Sequence, residues 1–469
     1  MNKKNYVAVA TLAFAMLTSC AGQKEAKSTS GIDLANMDTT VSAGTDFFRY
    51  ACGGWNDAHP LTAEYSRYGT FDELFENSQK QLRELIEGLA AQKNNQAGSA
   101  AQKIGDLYNM AMDSVTLNKQ GAEPVKAMLD KIAGMKDKSE IVPMMTEMAH
   151  IGIGTYFHSY VYADPKNSSL NIFQMGQGGI NLGEKEYYLD TDSITQNIRE
   201  QYKLYIGKLF QLAGFSEADA QQKVADVMEI ETAIAKVSRS ATELRDPEAN
   251  YHKMSFDELK KTIAGIDWDA YMKGLGIQAP AELNVEQVEP IQEVARLMNT
   301  LPLSKHVSYL EYNLLDAAAS CLSDDFVAAR FDFYGKVLSG RQVNQPRWKR
   351  AVNSVNGMLG ELVGEMYVEK YFPAAAKERM VKLVKNLQTA LGERIDAQEW
   401  MSDSTKIRAH EKLATFHVKV GYPDKWKDYS KLEIKNDSYW ANVCRASEWG
   451  FNDMYSRIGK PVDKDEWLM

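Results

Sequence analysis

"TYFHSYVYADPKNSSLNIFQMGQGG", Thr155 to Gly179, decides how the rest of the chain reads. Two runs rich in aromatic and β-branched residues flank Asp164-Pro165-Lys166-Asn167. That tetrapeptide is a turn signal: Pro presets φ, and the Asp and Asn side chains bond their own backbone. The stretch predicts a β-hairpin, and it is the one region that departs from helical spacing. Upstream, Thr70-Phe71-Asp72-Glu73 has the form of a capping box, with Thr70 as cap and Glu73 reaching back. Phe71, Leu74, Phe75, Leu82, Ile86 and Leu89 then repeat on one face. Ser255-Phe256-Asp257-Glu258 is a second capping box, after a break at Asp246-Pro247. Trp348, Val352, Val355, Leu359, Leu362, Val363 and Met366 form a long stripe that ends at Tyr371-Phe372-Pro373. Trp440, Cys444, Phe451, Tyr455 and Ile458 form another, closed by Gly459 and Pro461 as helix stop and exit. The expected fold is therefore mainly α: a multi-helix domain with a small inserted β-hairpin.

Composition narrows the function. The formal charge is −9, which argues against nucleic acid, whose recognition rests on clustered Lys and Arg. Apolar content of 44% and charged content of 25% are ordinary for a packed globular chain. At the N-terminus, Lys3 and Lys4 precede "VAVATLAFAML", Val7 to Leu17, an apolar run too short to span a bilayer. "LTSC", Leu17 to Cys20, resembles a bacterial lipobox. It implies cleavage before Cys20, lipid on that thiol, and a place in the bacterial cell envelope; an ordinary secretory signal is the alternative. Residues 1–19 are thus read as a lipoprotein signal peptide and 20–45, small and polar, as a tether. Residues 46–430 are read as the helical domain and 431–469 as a helix and linker. With Cys20 spent on lipid, Cys52, Cys321 and Cys444 remain, an odd number that leaves a thiol without an intrachain partner.

Catalytic motifs are sparse. "HEKLATFH", His410 to His417, has the first three letters of nothing more than H-E-x-x-H, since Ala414 stands where the second His belongs. A helix would carry His410 and His417 about 10.5 Å apart along its axis. Zinc–nitrogen bonds are about 2.0–2.1 Å, so one ion does not join them. "GQGGIN", Gly176 to Asn181, lacks the third Gly of a dinucleotide loop and reads as a plain loop. The other histidines, at 59, 150, 158, 252 and 306, show no metal spacing.

The segment order carries more than any single motif. "DFFRYACGGW" begins at Asp46, "SRYGTFDEL" at Ser66, "GQGGINLGEKEYYL" at Gly176 and "RDPEANYHKMSFDEL" at Arg245. "RWKRAVNSVNGMLGELVGEMYVEKYFP" follows at Arg347, "VGYPDKW" at Val420 and "IGKPVDKDEW" at Ile458. In this order they resemble the neprilysin and endothelin-converting-enzyme family of zinc endopeptidases, specifically its helical N-terminal part.

The resemblance implies a substrate-enclosing domain of a peptidase acting on peptides, with Zn2+ as cofactor of the complete family enzyme. It also implies that the chain stops before the H-E-x-x-H helix, so that it holds no zinc ligands and is inactive alone. Substrate binding is carried over to Arg67 and Asp72, which in the family help form the pocket for the residue two places beyond the cleaved bond. A further Arg found in some members is Phe75 here. Arg67 and Asp72 equally suit a bland reading, as an ion pair and a helix-dipole carboxylate. In many members the Cys of "CGGW" is bridged to the C-terminal part, so Cys52 is either the orphan of such a bridge or never bridged. Trp440, Cys444, Phe451 and Tyr455, with Trp467 and Leu468 beyond, are expected near an exposed surface that faces the catalytic domain. The alternative function is a non-catalytic, lipid-anchored helical module that binds peptides or partners.

Overall fold

The computed structural model describes residues 32–467. The expected signal peptide, Cys20, the first part of the tether and Leu468 lie outside the described residues. The chain divides into two compact units, 1–62 and 63–469.

In the first unit a short turn, Leu34–Asn36, precedes the Phe47–Ala58 helix. Asp46 caps that helix by accepting from the Arg49 N–H. The Arg49 guanidinium lies between Asp38, at 2.8 Å, and Asp57, at 2.6 Å. The glycines of "CGGW" have a steric reason: a Cβ at Gly54 would fall on the Ala35 carbonyl oxygen.

The second unit is a helical assembly around one small sheet. The Glu217–Val237 helix lies at its centre, packed against Ser193–Leu212, Val288–Thr300 and Leu303–Ala318. Tyr156, Tyr202, Tyr309, Tyr312, Phe210 and Phe333 are fully buried around these helices. The predicted hairpin forms as β1, Phe157–Asp164, and β2, Asn167–Gln177, paired antiparallel from Phe157–Gln177 onward. Two short strands that the sequence did not signal complete the sheet: β3, Lys253–Ser255, and β4, Glu282–Val285. The order is β1-β2-β4-β3, with β4 parallel to β2 and antiparallel to β3. The exit segment also joins β2. Gly459 and Val462 donate to the Asn171 and Ser169 carbonyls at 3.0 and 2.9 Å, and the Asn171 N–H donates to Lys460 at 2.9 Å.

Four local readings change. The Thr70–Ala90 helix starts one residue earlier than expected, with Gly69 as cap, so Asp72 and not Glu73 occupies the third position. The long stripe from Trp348 is two helices, Arg347–Met358 and Gly360–Tyr371, because Leu359 leaves the helical region at φ −123°, ψ 32°. The Asp403–Ala414 helix stops before His417. Finally, the Tyr439–Tyr455 helix does not present its apolar face to solvent: Tyr439, Trp440, Phe451 and Tyr455 are buried, and the Tyr455 hydroxyl meets Ser159 Oγ at 2.7 Å. The exposed apolar stripe is elsewhere, on Met380, Leu383, Leu387 and Leu391 of the Ala374–Asp396 helix. The second capping box forms as expected. Ser255 Oγ accepts from the Glu258 N–H at 3.2 Å, and Glu258 Oε2 accepts from the Ser255 N–H at 2.8 Å.

Candidate functional site

The segment 63–76 leads into the Thr70–Ala90 helix and carries both predicted substrate-binding residues. Its start is pinned by backbone: the Ala63 carbonyl accepts from the Gln342 and Val343 N–H groups at 2.9 and 3.0 Å. Its middle is pinned by a buried cation. Lys349, with 8% of its side chain exposed, donates to Glu76 Oε1 at 2.7 Å and to Glu64 Oε2 at 2.9 Å. The Tyr65 hydroxyl donates to the same Glu76 oxygen. Burial pushes the Glu76 carboxyl up, but Lys349 and Tyr65 outweigh it and hold the group below its usual range. One turn on, Gln79 Nε2 donates to Asn353 Oδ1 at 2.6 Å, fixing the helix against Arg347–Met358.

Between these anchors Arg67 is exposed and joins no ion pair among the described residues. It does not pair with Asp72. The Asp72 carboxylate instead accepts from the Gly69 N–H at 2.9 Å, satisfying one donor that the helix start leaves open. Beside Arg67 the first turns of the helix expose Phe71, at 88%, with Leu74 at 57% and Phe75 at 43%. One free guanidinium next to three unburied apolar side chains suits a ligand with a carboxylate and a hydrophobic body. The structure thus separates the two predicted residues: Arg67 is exposed, and Asp72 is bonded back to the Gly69 N–H.

Sequence reasoning missed Lys349. Its carboxylate partners lie 285 and 273 residues away, so no local pattern announces it. It also gave no role to the "GQGGINLGEKEYYL" stretch. Asn181 Nδ2 donates to Glu231 Oε1 at 2.7 Å, and the Tyr188 hydroxyl donates to Glu231 Oε2 at 2.7 Å. The Tyr202 hydroxyl completes the set at 2.9 Å. The stretch runs from the end of β2 through a loop into the short Glu186–Leu189 helix, and it is clasped onto a fully buried carboxylate. Burial raises Glu231 to about 7, against the pull of its three donors. Gly179 is required in this loop, at φ +76° and against the Tyr156 carbonyl.

His410 bonds Asp396 at 2.8 Å, and His417 bonds Asp465 at 3.1 Å. Among the described residues no group of three or more His, Cys, Asp or Glu is arranged to hold a metal. Cys52, Cys321 and Cys444 are all unbridged thiols.

This arrangement of helices around a small sheet matches known proteins in both sequence and shape. The family model of peptidase family M13, in its N-terminal part, matches residues 43–423. This chain belongs to peptidase family M13. It is 28% identical to endothelin-converting enzyme 1 of Rattus norvegicus, over 93% of this chain and 59% of the relative. Endothelin-converting enzyme-like 1 of Mus musculus is 25% identical, over 93% and 58%. The zinc metalloprotease Zmp1 of Mycobacterium tuberculosis, solved with an inhibitor, superposes with a TM-score of 0.87 at 32% identity, covering 94% of this chain and 66% of that one. PepO of Lactobacillus rhamnosis shares the fold, with a TM-score of 0.80 at 19% identity, covering 89% of this chain and 66% of that one. The chain spans 58–60% of the length of the endothelin-converting-enzyme relatives it matches.

Proposed function

We propose that this chain is the substrate-enclosing helical part of a neprilysin-like zinc metalloendopeptidase acting on peptides, and that it does not cleave them by itself. Family membership and the resemblance to Zmp1 support the peptidase reading. The coverage supports the division of labour: zinc chemistry is assigned to the part of the relatives that this chain does not match. The contribution of the described residues is to bind and orient a peptide.

The observation that carries this role is Arg67, exposed, unpaired and braced on both sides by the Ala63 and Lys349 contacts. It is assigned to a peptide's terminal carboxylate. Phe71 and Leu74 are assigned to apolar side chains of the same peptide. Asp72 takes part through the turn that it closes. With Phe75 in place of a second Arg, recognition rests on a single fork. In an enzyme that combines this chain with a family zinc domain, Arg67→Ala should weaken cleavage of short free-carboxylate peptides more than of their amidated forms. Equal losses on both would remove Arg67 from carboxylate recognition.

We also infer that Cys20 carries lipid and that the protein is an exported bacterial lipoprotein of the cell envelope, held to the membrane through that lipid. The support is the lipobox-like "LTSC" behind a short apolar run. Wild type should incorporate a palmitate analogue and partition into detergent, and Cys20→Ala should do neither. Equal labelling of the variant would sink this assignment.

A further inference from the structure

A second site lies on the other side of the loop that pins Ala63. A cavity of about 360 Å3 opens between the end of the Ala100–Met112 helix, the Phe331–Leu338 segment, the start of Arg347–Met358 and Tyr439. Four arginines line it: Arg330, Arg341, Arg347 and Arg350. Among the described residues two carboxylates form ion pairs with them. Arg330 Nη1 meets Asp316 at 2.8 Å, and Arg347 pairs with Asp324 while donating to the Ala111 carbonyl at 3.0 Å. Arg350 donates only to the Gln345 carbonyl, at 3.2 Å, and joins no ion pair among the described residues. Arg341 joins none either; its guanidinium lies 5.5 Å from the centre of the Phe331 ring.

Arg341 and Arg350 are half-buried and outside any ion pair among the described residues, so each keeps guanidinium donors that a negative ligand can take up. Burial and the neighbouring Arg347 disfavour the Arg350 cation and outweigh the pull of Asp324 and Tyr439, so added negative charge would favour it further. The backbone is built to suit. Phe331–Leu338 is a π-helix, a rare form found most often at functional sites. Gly335 is needed in it, because a Cβ there would collide with the Phe331 ring. The Arg341 N–H bonds the Gly335 carbonyl at 3.0 Å, fixing the root of the unpaired arginine to the π-helix. The volume falls in the range of small-molecule sites, which are about 300–1,000 Å3. The rest of the lining mixes Phe331, Val327 and Leu117 with the Tyr439–Ser354 hydroxyl pair.

We propose that this arginine-lined cavity binds a small oxyanion, a carboxylate or a phosphate, held by the forks of Arg341 and Arg350. Planar guanidinium groups match both chemistries bidentately. The site is separate from Arg67 and does not depend on the peptidase reading.

The test is calorimetric binding to the full chain at constant ionic strength. One arm uses inorganic phosphate. The other uses an N-acetylated dipeptide, as free carboxylate and as amide. We expect at least one arm to bind in the millimolar range or tighter, with Arg341→Gln and Arg350→Gln each weakening it tenfold or more and Arg341→Lys only partly restoring it. Phosphate binding alone assigns a phosphate ligand; binding of the free but not the amidated dipeptide assigns a carboxylate. Because neither arginine joins an ion pair among the described residues, the ligand-free variants should melt close to the wild-type temperature. No binding in either arm, or binding unchanged in both Gln variants, overturns the proposal. So does a lower melting temperature in both ligand-free Gln variants, which would make the arginines structural.

Discussion

Asp72 Oδ2 accepts from the Gly69 N–H at 2.9 Å, and this bond leaves Arg67 without a carboxylate. A helix cap thus decides that a neighbouring cation faces solvent. The two residues should separate by experiment. Asp72→Ala should destabilise the fold by about 1 kcal/mol, the usual worth of an N-terminal capping interaction. Arg67→Ala, with no bond to lose, should stay within about 0.5 kcal/mol of wild type. Urea unfolding reads both, and a larger loss in Arg67→Ala would mean that it has a structural partner.

Lys349 holds two carboxylates at once, and its removal leaves both without their cation. Lys349→Met should cost about 3 kcal/mol, in the range for breaking a largely buried ion pair. Glu76→Gln in the same chain should recover part of that loss. A double variant no more stable than Lys349→Met would show that the Lys349–Glu76 contact is not what braces the segment.

Glu231 gives a pH dependence of unusual sign. Its folded value of about 7 lies above the ordinary glutamate value of 4.5, so between these values the folded state holds the extra proton. Stability from this group is present at low pH and is lost as pH rises from about 4.5 through about 7. The difference amounts to about 3 kcal/mol. Glu231→Gln should remove that slope. Denaturant unfolding of both proteins at pH 5, 6 and 7 checks it: a wild-type curve parallel to that of the variant would contradict the assignment.

The thiols should differ from what their number suggests. Burial pushes Cys321 up to about 11 and Cys444 up to about 12. At pH 8 the thiolate of Cys444 is then only about one part in ten thousand, and the thiolate is the reactive form. Both should resist iodoacetamide in the folded chain and react in denaturant. Fast labelling of folded Cys444, read by mass spectrometry, would show that the helix opens.

Much of the fold was legible because it is written locally. The hairpin rests on one turn tetrapeptide between β-rich runs, and the Ser255–Glu258 box on four consecutive residues. The cap at Gly69 was misplaced by one position because Thr70 is the better capping type, while the extended backbone at Gly69 ends the helix first. Strands of three and four residues, such as β3 and β4, carry no periodicity to read. The π-helix has no pattern of its own. Arg67 was legible only through family resemblance; that it is unpaired followed from where the Asp72 carboxylate turned. The apolar face of Tyr439–Tyr455 reads as lying near an exposed, domain-facing surface because pattern shows that a face exists and not what covers it. The covering elements, β1 among them, lie far away in sequence.

The central claim is that this chain encloses peptides and that zinc chemistry is supplied by a domain outside it. The most direct measurement is cleavage of a quenched peptide, with and without chelator, by the purified full chain alone and by the same chain fused to a family zinc domain. The account predicts no chelator-sensitive cleavage from the chain alone, and chelator-sensitive cleavage from the fusion. Chelator-sensitive cleavage by the chain alone that survives repurification would contradict it. So would a folded, zinc-loaded fusion that leaves the peptide intact.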